Sequence, residues 1–279
     1  MSVGVFVASE GGVAVAVDSR RTVQVGSGGP FSVESEEARK LFLPQPGIVV
    51  ATHGRAVVGE KTIGSLIEEF PIPEAGGTIE FARSLGGWFA AQMRDATEPR
   101  RGDFVKADAL GWPLGFAVAG FDDGVGHIYA VKVRPGDSQI EVKAPSTDNP
   151  GIYPLGLTDG IERLLNGVDR QALRQAKVKV SPADERKLEL LSYDLAVPKA
   201  LPDALNLAQA LVQVQFLSQE ISYGTFASAE VRVKGCGGRI RMASVSRDGA
   251  QLGPSLTLQG LTVLPEQSDA APAPAQRSA

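Results

Sequence analysis

The chain has 279 residues, with 28 Lys and Arg against 32 Asp and Glu, and the resulting net charge of −4 excludes a broadly basic surface for nucleic acid. One cysteine excludes a disulfide framework and every thiolate metal cluster. Two histidines, His53 and His127, leave few options for a zinc site or for Ser-His-Asp chemistry, so an enzyme of this composition takes its base from another group. Neither a metal nor a cofactor is expected.

The first 21 residues are apolar, but Glu10 and Asp18 interrupt them and no basic residues precede them. They read as neither a signal peptide nor a spanning helix, and no other window reaches about 18 uninterrupted apolar residues. The expectation is a reduced, cytoplasmic protein with no membrane partner.

Residues 3–8 and 13–18 are apolar runs separated by Glu10-Gly11-Gly12, a hairpin signal. Their near-continuous apolarity predicts strands covered on both faces. Residues 39–43 and 48–52 form a second pair, broken at Pro44-Gln-Pro-Gly47. From Val57 the period turns helical, through Ile63, Leu66, Ile67 and Phe70 to Pro71. Residues 78–96 predict a second helix with Phe81, Leu85, Trp88, Phe89 and Met93 on one face. Strands follow at 116–121, 127–133 and 140–143, then short helices at 161–165 and 170–176.

Residues 177–201 are charged and irregular, and read as an insertion. Residues 202–221 predict a long helix with Pro202 in its first turn and a stripe of Leu205, Ala208, Leu211, Val212, Leu217 and Ile221. Strands at 226–233 and 239–245 close the order as a hairpin around Gly235-Cys-Gly-Gly238. Two sheets packed face to face, with a helix pair outside each, would cover every apolar face. The organisation expected is one domain over residues 2–250, then a C-terminal extension over 251–279 that is disordered from about 266.

The chemistry starts at Ser2. Removal of Met1 would leave a serine whose hydroxyl and α-amine share one residue. With a reference pKa of about 7.7–8.0, that amine has a usable neutral fraction at pH 7 and can take the hydroxyl proton, directly or through a water. Asp18 ends a run that reads as a buried strand, where an unpaired carboxylate is costly. Lys40 is the best nearby cation to meet it. Lys40 beside the nucleophile would favour the deprotonated amine and alkoxide, although a plain structural ion pair explains both residues as well.

The stretch Ser2…Glu10-Gly11-Gly12-Val-Ala-Val-Ala-Val-Asp18-Ser19-Arg20-Arg21-Thr22 resembles the start of a mature proteasome β-type subunit. Arg39-Lys40-Leu41, Ala51-Thr52-His53-Gly54 and Ala119-Gly-Phe-Asp122…Gly126-His127-Ile-Tyr129 are similar to later family segments, as are Gly156 and Ser222-Tyr-Gly224. The resemblance covers roughly residues 2–246, with a few extra residues at 26–30. It implies an α+β fold, the four-layer αββα sandwich of N-terminal nucleophile hydrolases.

Carried over, the resemblance makes Ser2 nucleophile and base, Lys40 its tuning cation, and Asp18 the group orienting Lys40 and the amine. The Gly54 N–H would hold the oxyanion, and Ser222 would help hold the amine. Arg21, Thr22 and Thr52 would line the pocket for the residue before the cut. Glu220 is the choice for the family's late acidic residue over Gln219, and Thr158 or Asp159 would replace its serine after Gly156. With no propeptide before Ser2, the style is that of the bacterial proteasome-like peptidases. The implied partners are a peptide or unfolded protein substrate, further copies in a homo-oligomeric ring, and an ATPase unfoldase. A small-molecule amidase and a non-catalytic ring or scaffold subunit are the alternatives. Cys236 and His127 read as structural.

Overall fold

The computed structural model describes residues 2–24, 31–74, 76–97, 114–141, 144–168, 173, 176–191, 195–221 and 235–257. The N-terminal hairpin, Val3–Ser9 and Gly12–Val17, is the centre of the first of two main antiparallel sheets. Across that sheet the order is Gly151–Gly156, Val3–Ser9, Gly12–Val17, Arg239–Ser246, Gly249–Leu252, and Leu256–Thr257 also pairs with Arg239–Ser246. The second sheet runs Asp137–Glu141, Val125–Arg134, Leu114–Asp122, Ile48–Gly54, Leu41–Gln45. The fold is mixed α+β.

Alternation explains why the central strands are apolar throughout. Val3, Val5 and Val7 face a core made with the Leu201–Ile221 and Asp159–Asn166 helices. Phe6 and Ala8 face the opposite way, into a core shared with Val49, Ala51, Ala117 and Ala119 of the second sheet. In that sheet Ile48, Val50, Phe116 and Val118 turn from the first sheet towards Leu66, Phe81, Leu85 and Phe89 of the Ile63–Glu69 and Thr78–Thr97 helices. These central strands are therefore buried on both faces, and successive side chains serve different cores. The core between the sheets is rich in Ala and Val, which suits face-to-face packing at about 10 Å.

Four features differ from the sequence expectations. The helical pattern starting at Val57 is instead a two-stranded ribbon, Val57–Val58 with Lys61–Thr62, and the helix begins at Ile63. Thr62 sets that start, because its side chain accepts the Ser65 N–H at 3.1 Å as an N-cap. Within the segment read as irregular, Pro182–Glu189 is a helix, capped by Ser181 accepting the Asp184 N–H. The long helix turns Ala204, Ala208, Leu211, Val212 and Phe216 inwards and leaves Leu217 39% exposed, so the expected stripe is one position out of phase at its end. The Arg21–Gln24 and Phe31–Ser35 ribbon has no counterpart in the sequence reading.

The strand expected at 226–233, most of the helix at 170–176 and the tail from 258 lie outside the described residues. Among the described residues, no helix is long and apolar enough to cross a membrane.

Candidate active site

The site grows from the register of the first hairpin. Gly4 pairs with Val17, which sets the next residues, Val3 and Asp18, across from each other one step beyond Ser2. Asp18 is fully buried and accepts four hydrogen bonds. Its Oδ1 takes the Val3 N–H at 3.0 Å and Lys40 Nζ at 2.8 Å. Its Oδ2 takes the Arg20 and Gly237 N–H groups, each at 3.2 Å. Lys40, 6% exposed, also donates to the Arg20 carbonyl. A buried carboxylate of this kind is tolerated because its charge is matched and its lone pairs are occupied.

Lys40 reaches this position from the start of the second sheet, where its carbonyl accepts the Thr52 N–H at 3.0 Å. The ion pair therefore ties the edge of one sheet to the hairpin of the other. Ser2 is 7% exposed, and its carbonyl accepts the Leu157 N–H at 2.7 Å. Gly156, with φ +83°, stands against that carbonyl so closely that a Cβ there would lie 2.1 Å from the Ser2 oxygen. The last residue of the Gly151–Gly156 strand thus fixes where Ser2 sits, and only glycine fits.

A pocket of about 240 Å³ opens beside this group, lined in part by Ser2, Arg21, Thr22, Lys40, Thr52 and Gly54. These six are the residues that the sequence places in the site, apart from Asp18 behind Lys40 and the pair near residue 220. Gly54 ends the Ile48–Gly54 strand with φ +87°, a conformation that favours glycine. Thr52 is buried and donates its hydroxyl to the Gly115 carbonyl at 3.4 Å.

His53 also lines the pocket. It pairs with Gly115 across the sheet, and the imidazole fills the space a side chain would take: a Cβ on Gly115 would lie 2.1 Å from Nε2. Burial, with added repulsion from the chain's amino terminus and Lys132, lowers its pKa to about 4. The ring is neutral at pH 7.

The remaining assignments separate. Glu220 does not line the pocket; its neighbour Gln219 is the buried one, 5% exposed, accepting the Cys236 N–H at 3.0 Å. Gln219 thereby holds the 235–238 turn whose Gly237 N–H binds Asp18. A sequence signal existed in its place on the apolar side of the long helix. Thr158 donates to Glu162 at 2.9 Å, and Asp159 accepts from Gln215 Nε2 at 2.6 Å. The Thr158 bond stays within the first turn of the Asp159–Asn166 helix, Asp159 ties that helix to Leu201–Ile221, and neither residue lines the pocket. Ser222 lies outside the described residues. Cys236 is buried, which raises its thiol pKa, and His127 stacks on Tyr129 with ring centres 5.8 Å apart. Among the described residues no group of three His, Cys, Asp or Glu side chains is placed to hold a metal ion.

No protein-family model matches the chain, and no curated protein matches it. Among solved structures, it is similar to an Anbu (Gly-1) mutant from Hyphomicrobium sp. strain MC1. That similarity covers 92% of this chain and 86% of the other, at 15% identity and a TM-score of 0.46.

Proposed function

We propose that the chain is a proteasome-like peptidase, an N-terminal nucleophile hydrolase of the αββα type that cuts peptide bonds within a homo-oligomeric ring. One observation carries the reading: Lys40, held at 2.8 Å by a fully buried Asp18, borders the same pocket as Ser2. The motif resemblance over residues 2–22 supports it independently.

In this mechanism, loss of Met1 frees the Ser2 α-amine. The amine takes the hydroxyl proton, directly or through a water, as Oγ attacks the peptide carbonyl. Lys40 favours the neutral amine and the developing alkoxide by its charge. The Gly54 N–H donates to the oxyanion. The proton then passes to the departing amine as the C–N bond breaks and an ester on Ser2 remains. Water, deprotonated by the same α-amine, hydrolyses the ester and restores Ser2.

The second reading is a non-catalytic ring subunit, favoured by the positions of Thr158, Asp159 and Glu220 away from the pocket. The intact mass of the purified protein tests the mechanism. Loss of one methionine is expected, and a retained Met1 would refute a free Ser2 amine.

A further inference from the structure

The pocket's charge is one-sided. Arg20, Arg21, Arg39, Lys40 and Arg55 line it, and none of the described residues lining it is Asp or Glu. Four of these cations have carboxylate partners: Glu36 on Arg20 at 2.8 Å, Glu34 on Arg21 at 2.7 Å, Glu68 on Arg39 at 3.0 Å and Asp18 on Lys40 at 2.8 Å. Only Asp18 is buried. Glu34, Glu36 and Glu68 are 43%, 45% and 66% exposed and stand outside the pocket. Ion pairs with such exposed carboxylates are each worth about 0–1 kcal/mol, so a ligand carboxylate can exchange with them at little cost.

Arg21 adds a second observation. Its Nε is a buried atom paired with Glu34 Oε2 at 2.7 Å, but out of line for a hydrogen bond. A ligand carboxylate in line with this N–H would give it a better-aligned acceptor than Glu34 does. An uncharged apolar group entering the pocket would strip water from the guanidiniums and bring them no acceptor. The volume of about 240 Å³ is below the roughly 300–1,000 Å³ of a site for a drug-sized molecule and suits one side chain.

We propose that the pocket selects a carboxylate-bearing side chain, Asp or Glu, on the acyl side of the bond to be cut. This inference rests on the peptidase reading for its register with Ser2, but the selection itself is a binding property. A bidentate match of carboxylate to guanidinium supplies both affinity and orientation.

Two measurements test it. The first is equilibrium binding of N-acetylated, C-amidated peptides that differ only in Glu against Gln at one position, followed by calorimetry with the full chain. Binding tighter by about tenfold for Glu at low salt is expected, with the gap shrinking at 1 M salt as screening shortens to about 3 Å. Arg21→Gln should narrow the Glu-over-Gln ratio at least threefold. Equal binding of the two peptides, or an unchanged ratio in R21Q, would overturn the proposal. The second is kcat/KM for the same pair bearing a fluorogenic leaving group. Turnover that favours Gln or Leu over Glu overturns the selectivity while the peptidase reading stands. Selective binding without any turnover leaves the selectivity in place and counts against the peptidase reading instead.

Discussion

Replacing Lys40 by Met isolates the central ion pair. Asp18 is 0% exposed and Lys40 is 6% exposed, so the substitution leaves a carboxylate buried with no cation. Removing one partner of a buried pair costs about 3–5 kcal/mol. Asp18 keeps the N–H groups of Val3, Arg20 and Gly237, which places the expected loss at the lower end, about 3 kcal/mol. For a domain of this size, about 2–4 °C per kcal/mol converts that to a fall in Tm of roughly 6–12 °C. Urea unfolding followed by intrinsic fluorescence measures it, with an unchanged slope indicating that the native state alone is altered. The double variant Asp18→Asn with Lys40→Met removes both charges and should recover at least half of the loss, a coupling read from the double-mutant cycle. A K40M penalty under about 1 kcal/mol, or no recovery in the double variant, would show that the pair behaves as an exposed one and refute the reasoning.

Two further predictions concern the walls of the pocket. His53 titrates at about 4 in the folded chain against about 6.5 when unfolded, so the unfolded state takes up a proton that the native state refuses. Stability from this group is complete above pH 6.5 and falls as the pH drops towards 4, by up to about 3 kcal/mol, and His53→Asn should flatten that part of the pH–stability curve. Gly156→Ala should destabilise far more than Gly47→Ala when their urea midpoints are compared. The two glycines share φ near +80°, at +83° and +82°, but a Cβ at 47 meets nothing within 4 Å whereas one at 156 meets the Ser2 carbonyl.

The parts of this molecule that were legible in the sequence are those where a local pattern meets a strict physical demand. The hairpin at 3–17 could be read because strands covered on both faces must be apolar at every position. Asp18 could be matched to Lys40 because a carboxylate at the end of such a run requires a cation. Thr52 and Gly54 were expected beside Ser2 only from the motif resemblance, and both line the pocket that Ser2 lines. Polar elements escaped. The Arg21–Gln24 ribbon has no apolar period, and the Pro182–Glu189 helix has a cap but hardly any core. The apolar period marks the long helix but not its phase at the far end, where Phe216 and Gln219 are buried and Leu217 is exposed. A helix end twenty residues from its start accumulates phase error, and burial in the tertiary structure decides the face.

Ser2 is the claim on which the account depends. The most direct test is steady-state hydrolysis of fluorogenic peptides by the full chain and by Ser2→Ala, with assembly followed by size-exclusion chromatography. The account predicts that S2A keeps the same elution position and loses all turnover. Hydrolysis by S2A at the rate of the unaltered chain would contradict it.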